Sequence, residues 1–107
     1  MDIILTRTKR SRYAVDGFIT INGQRICDTT ENAKNCLPCA TYRISRQHMP
    51  FRVGNGVHTL KKGHILLGEA LVPGVVIHSL QHYERLYERI KKATQRGTEI
   101  LLTILQE

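Results

Sequence analysis

No apolar run in the sequence approaches the ~20 residues that a helical membrane span needs, and Met1-Asp2-Ile3-Ile4-Leu5-Thr6-Arg7 lacks the basic-then-apolar order of a secretory signal. These two absences predict a soluble, cytoplasmic protein without a membrane span. Cysteine is scarce. Cys27, Cys36 and Cys39 are an odd set that cannot pair completely within one chain, and without an export signal reduced thiols are expected in place of a disulfide framework. Acidic residues are also few, 9 against 16 Lys and Arg, and the resulting charge of +7 favours an anionic partner, whether ligand or polymer. Internal repeats and low-complexity tracts are missing, which removes solenoid and linker architectures.

What is present fits one domain spanning residues 1–107. Surface scaling at 12.2 kDa gives an exposed area of roughly 6,100 Å² out of ~17,700 Å² for the unfolded chain. One modest core then suffices, with no metal or cofactor required. Residues 3–8 read as a first strand that ends at the basic stretch Lys9-Arg10-Ser11-Arg12. Asn22-Gly23 between Phe18-Ile19-Thr20-Ile21 and Gln24-Arg25-Ile26-Cys27 predicts a type I′ hairpin, with Ile21 opposite Gln24, Thr20 opposite Arg25, Ile19 opposite Ile26 and Phe18 opposite Cys27. Ile19, Ile21 and Ile26 would then share the core face.

Thr29 to Cys39 has loop composition, and Ala40 to Ile44 has strand composition with Tyr42 and Ile44 on one side. Ser45 to Gly63 reads as irregular with a short strand at Phe51 to Val53, followed by extended pieces at Ile65-Leu66-Leu67 and Val75-Val76-Ile77. From Ser79, a good N-cap, the period becomes helical: Leu80, Tyr83, Leu86, Tyr87, Ile90 and Ala93 form one stripe, and Gly97 follows as a stop. Residues 98–105 close the chain as a strand apolar on both faces, which predicts a central position. The expected class is α+β: a curved, mostly antiparallel sheet or partial barrel with one C-terminal helix followed by a final strand.

Several short motifs carry a family resemblance. Thr30-Glu31 after the hairpin, Cys36-Leu37-Pro38 leading to Tyr42-Arg43, Gly54-Asn55, Gly63-His64-Ile65, and Ser79 opening a helix before the last strand resemble a family of small bacterial and phage domains of unknown function. Its members read T-x-E, C-I-P-x-G-x-Y, I-H-x-x-N and G-C-I, and the last two loosely resemble L,D-transpeptidases, in which a histidine activates a thiolate toward cell-wall peptides. This chain departs at three positions: Ala40 stands for the box glycine, Arg52 for the histidine and His64 for the cysteine. The resemblance therefore implies a residual site of Arg52, Asn55, His64 and His78 without its nucleophile. A non-enzymatic accessory or binding module of the phage or mobile-element type is expected. The alternative is a cell-wall peptide hydrolase or transferase with His64 or His78 as base and water as nucleophile.

Other clusters are weighed against plainer roles. Cys36-Leu37-Pro38-Cys39 has redox spacing, but activation needs a helix directly after the motif, and Thr41-Tyr42-Arg43-Ile44 favours a strand. Zinc could recruit Cys27, Cys36, Cys39 and His48, yet only one close ligand pair exists, and no metal is expected. His58 and His64 flank a loop, and His78 and His82 flank the helix start with no carboxylate at a fixed spacing to support them. Arg85, Arg89, Lys92 and Arg96 align on one face of the predicted helix as a candidate anion-binding stripe, the third functional alternative being nucleic-acid binding. Against it stand a favourable Glu88 to Lys92 pair and the absence of interleaved aromatics.

Overall fold

A computed structural model of Met1–Glu107 is organised around the Asn22-Gly23 turn. Both residues have positive φ, 54° and 77°, as a type I′ turn requires. They join β2 (Ala14–Ile21) to β3 (Gln24–Asn32). Ile21 faces Gln24 and Thr20 faces Arg25, but an irregularity then puts Ile19 opposite Cys27 and Phe18 opposite Asp28. The expected register fails beyond Arg25 because one extra residue, Ile26, is accommodated in β3. Cys27 consequently takes the core position and Ile26 stays half-buried.

β3 also runs three residues past the expected loop start, to Asn32. Two of its polar residues there are buried and partnered: the Thr30 hydroxyl donates to Asp16 Oδ1 at 2.7 Å, and Glu31 pairs with Arg7. β1 (Asp2–Arg10) likewise continues through Lys9 and Arg10, past a register shift between Arg7 and Lys9.

The remaining strands are β4 (Thr41–Ile44), β5 (Phe51–Arg52), β6 (Ile65–Val72), β7 (Val75–Ile77) and β8 (Ile100–Gln106). They complete a sheet of order β4-β8-β1-β2-β3-β6-β5, with β7 on the far half of β6. The β1–β8 and β5–β6 pairs are parallel and the others antiparallel. This mixed sheet curls into a half-barrel, and a single α-helix precedes the final strand, giving the α+β class expected.

That helix, α1 (Ser79–Gln95), contributes Leu86, Ile90 and Ala93 to the main core, which also holds Ile3, Leu5 and Ile104. Leu80 lies on the same sequence stripe but is 56% exposed, because core packing by the helix begins only at Tyr83. Ser79 is not the N-cap. His78 precedes the helix in a left-handed conformation with no side-chain cap, while the Ser79 hydroxyl accepts the Gly54 N–H at 3.1 Å. At the other end Gly97 (φ 72°) reverses the chain as expected.

β8 is flanked on both sides, yet only Ile100, Leu102 and Ile104 are buried, and Leu105 is exposed. Burial on two faces falls on β6 instead. Ile65 and Leu67 enter the main core, and Leu66 enters a second cluster with Ala14, Val57, Leu60 and Val76. The exposed area is 6279 Å², close to the roughly 6,100 Å² that scaling gives. No helix is long and apolar enough to cross a membrane.

Candidate functional site

The inward face of β1 reads Ile3, Leu5, Arg7, so the period of two that buries two aliphatic side chains also carries a guanidinium inside. Arg7 and Glu31 are 3% and 1% exposed. Nε donates to Glu31 Oε2 at 3.0 Å and Nη2 to Oε1 at 2.8 Å, a bidentate pair. Burial alone would lower the Arg7 pKa, but the hydrogen bonds and charge of Glu31 outweigh it and raise the value. Arg7 therefore does not belong with Lys9, Arg10 and Arg12 as surface charge.

The same guanidinium anchors a loop. Nη2 also donates to the Leu37 carbonyl at 2.6 Å, and Nη1 lies 3.7 Å from the Cys39 sulfur. From the opposite side, Gly63 N–H donates to the Asn35 carbonyl at 2.8 Å. Gly63 has φ 78°, and a Cβ there would lie 3.2 Å from Leu37 Cδ2, so glycine suits both the backbone and the packing. The Tyr42 hydroxyl donates to the Pro38 carbonyl. Segment 33–40 is thus tied to β1, to the turn before β6 and to β4.

These ties form one wall of an open cleft of about 300 Å³. Leu37, Tyr42, Met49 and Pro50 give it apolar surface over the buried Ile44 and Leu102, while Arg43, His48, Lys62 and His64 add cationic and imidazole groups. No cysteine, serine, threonine or carboxylate lines it. His64 Nδ1 accepts the Lys61 N–H at 3.3 Å. Burial lowers the His64 pKa, and the charges of Arg52 and Lys61 lower it further. The ring is then neutral at pH 7, and with Nδ1 occupied as acceptor its proton sits on Nε2.

The four residues of the expected residual site do not form one constellation. Only His64 lines the cleft. Arg52, on the strand beside β6, turns its guanidinium to the Met49 and Phe51 carbonyls at 2.8 and 2.7 Å and reaches His64 through charge alone. Asn55 uses its carbonyl to accept the Val76 N–H. His78 is engaged elsewhere: its Nδ1 and His82 Nε2 each lie 3.0 Å from Glu69 Oε2. The carboxylate that no fixed spacing revealed arrives from β6 across the β6–β7 hairpin. The bonds to His82 and His78 hold the Glu69 carboxyl below its ordinary pKa.

Burial, with the neighbouring Asp28 charge, pushes the Cys27 thiol up to about 12. Cys36 and Cys39 sit beside Arg10 and Arg7, at 3.9 and 3.7 Å. Cys39 leads into strand β4, not a helix, so the redox spacing lacks its helical activator. No group of three or more His, Cys, Asp and Glu side chains is arranged to hold a metal ion, and Cys27, Cys36, Cys39 and His48 do not converge.

The basic stripe divides. Arg89, Lys92 and Arg96 line a second concavity of about 320 Å³, with Asn22 and Thr98 beside them and Met1 over the buried Ile21 and Ala93. Arg85 lies apart, in a groove with Gln81, Glu84 and Glu88. The expected Glu88–Lys92 ion pair is not formed. Compared with protein-family models, with curated proteins and with solved structures, the chain matches none.

Proposed function

We propose that the chain is a non-enzymatic binding module of the accessory kind found on phages and mobile elements, and that the cleft beside His64 takes a small ligand with an apolar body and a carboxylate. The lining of the cleft carries this reading. Its apolar surface from Leu37, Tyr42 and Met49 can cover a hydrophobic group, and Lys62, His48 and the neutral His64 offer donors to an anion. No thiol, serine, threonine or carboxylate among the lining residues is placed for nucleophilic or general-acid work. Free thiols at Cys36 and Cys39 suit a reducing, cytoplasmic setting.

One observation favours a second reading, a hydrolase of cell-wall peptides: His64 is held neutral, as a general base must be. The hydrogen bond from Lys61 to Nδ1 weighs against it, since the remaining nitrogen then carries the proton. Soluble peptidoglycan fragments, which combine alkyl side chains with free carboxylates, separate the two. The binding reading expects amide shifts at Tyr42, Gly63 and His64 with the fragments recovered unchanged. Turnover that disappears in His64→Ala overturns it.

A further inference from the structure

A second site, independent of the cleft, emerges where the last turns of α1 face the tip of the β2–β3 hairpin. Arg89, Lys92 and Arg96 line one concavity that contains no acidic side chain. None of the three makes a side-chain hydrogen bond or ion pair. Cations near a helix C-terminus often serve its unpaired carbonyls, but here the Lys92, Ala93 and Thr94 carbonyls already have backbone donors. Arg96 N–H bonds to the Lys92 and Ala93 carbonyls, Gly97 N–H to Thr94 and Thr98 N–H to Ala93. The three charged groups are left without a partner inside the protein.

The polar surroundings suit an anion as well. Asn22, held at positive φ on the turn, and Thr98, just after the helix, line the same concavity, and neither side chain is used in a hydrogen bond. Positions 89, 92 and 96 extend over ~10.5 Å of helix axis at ~1.5 Å per residue, comparable to about three charge repeats of a nucleic-acid strand at ~3.4 Å each. No aromatic residue lines the concavity, so nothing there stacks on a base.

We propose that this concavity is a phosphate site, in which Arg89, Lys92 and Arg96 bind the phosphates of a nucleotide or of a nucleic-acid strand without reading the bases. Arg85 takes no part, because Glu84 and Glu88 share its groove.

The test titrates the full chain with inorganic pyrophosphate and, separately, with a short fluorescent single-stranded oligonucleotide, following amide NMR and anisotropy. Both probes are expected to shift the amides around Asn22, Lys92 and Thr98. The variant combining Arg89→Gln, Lys92→Gln and Arg96→Gln is expected to bind at least about tenfold more weakly, given that charge-assisted hydrogen bonds are the strong ones, while Arg85→Gln stays within about twofold. If the strand is the source, raising salt from ~50 to ~200 mM weakens it roughly 20-fold, the expectation for three neutralised phosphates on a single strand. If a free phosphate compound is the source, pyrophosphate saturates the same amides and displaces the strand. Should the triple variant fail to fold, Lys92→Gln alone is read the same way. The proposal is overturned if neither probe binds at low salt, if the triple variant binds as the native chain does, or if Arg85→Gln weakens binding equally.

Discussion

Replacing Glu31 with Gln tests how the cleft is built. The substitution keeps shape and one acceptor but leaves the Arg7 guanidinium, 3% exposed, without its counter-charge. Breaking a buried ion pair from one side costs about 3–5 kcal/mol, and the retained acceptor places this case near ~3 kcal/mol by the same rule. Against a typical domain stability of ~5–15 kcal/mol that is a large fraction. At roughly 4–8 °C per kcal/mol for domains near this size, Tm should fall by about 12 °C or more. The double variant Arg7→Met with Glu31→Leu removes both charges and should lie within about 1 kcal/mol of the native chain. It still lacks the donor to the Leu37 carbonyl, so its segment 33–40 should exchange amide protons faster even though its Tm recovers. Thermal denaturation by circular dichroism and amide exchange measure the two effects separately. A Glu31→Gln Tm within ~4 °C of native, equivalent to about 1 kcal/mol, refutes the reasoning, as does a double variant no more stable than the single one.

Further expectations follow from single groups. Thr29 Oγ1 is buried without a hydrogen-bond partner, so Thr29→Val should stabilise the chain by about 1 kcal/mol, and a lower Tm would contradict this. Gly63→Ala should cost about 1–2 kcal/mol for its left-handed backbone, and displacement of Leu37 should show as weakened ligand binding in the cleft. Iodoacetamide should modify Cys39 in the native protein, whereas Cys27, buried and with its thiol pushed up to about 12, should react only on unfolding; mass mapping of adducts decides. Glu69 is depressed from 4.5 in the folded chain, so its stabilising contribution is present above that value and lost as pH falls through the folded pKa. Glu69→Gln should remove this acid limb from a denaturation-against-pH curve. His64 is depressed from 6.5, so stability should decline as pH drops from 6.5 toward the folded pKa, a slope that His64→Gln should abolish.

The hairpin, the helix and its glycine stop were legible because each rests on local chemistry: two positive φ angles at Asn22-Gly23, a repeating apolar stripe and Gly97. What escaped was set by partners distant in sequence. Thr30 and Glu31 look like loop residues until Asp16 and Arg7 are placed against them. Arg7 continues the alternation of Ile3 and Leu5 that marks the buried face, although Lys9 and Arg10 just after it are exposed. Glu69 serves His78 and His82 through a hairpin that no fixed spacing encodes. The stripe on α1 was visible as a period, yet its division between Arg85 and the other three cations depends on the hairpin tip and on Glu84 and Glu88. His64 was found through its place after Gly63, and the cleft around it assembles from segments that are far apart in the chain.

The most direct measurement is an amide NMR titration of the native chain with soluble peptidoglycan fragments, with mass spectrometry of protein and fragments at the end point. Shifts concentrated at Tyr42, Met49, Gly63 and His64, with both masses unchanged, are the predicted result. Cleaved fragments, or an acyl adduct on the protein, would contradict the account.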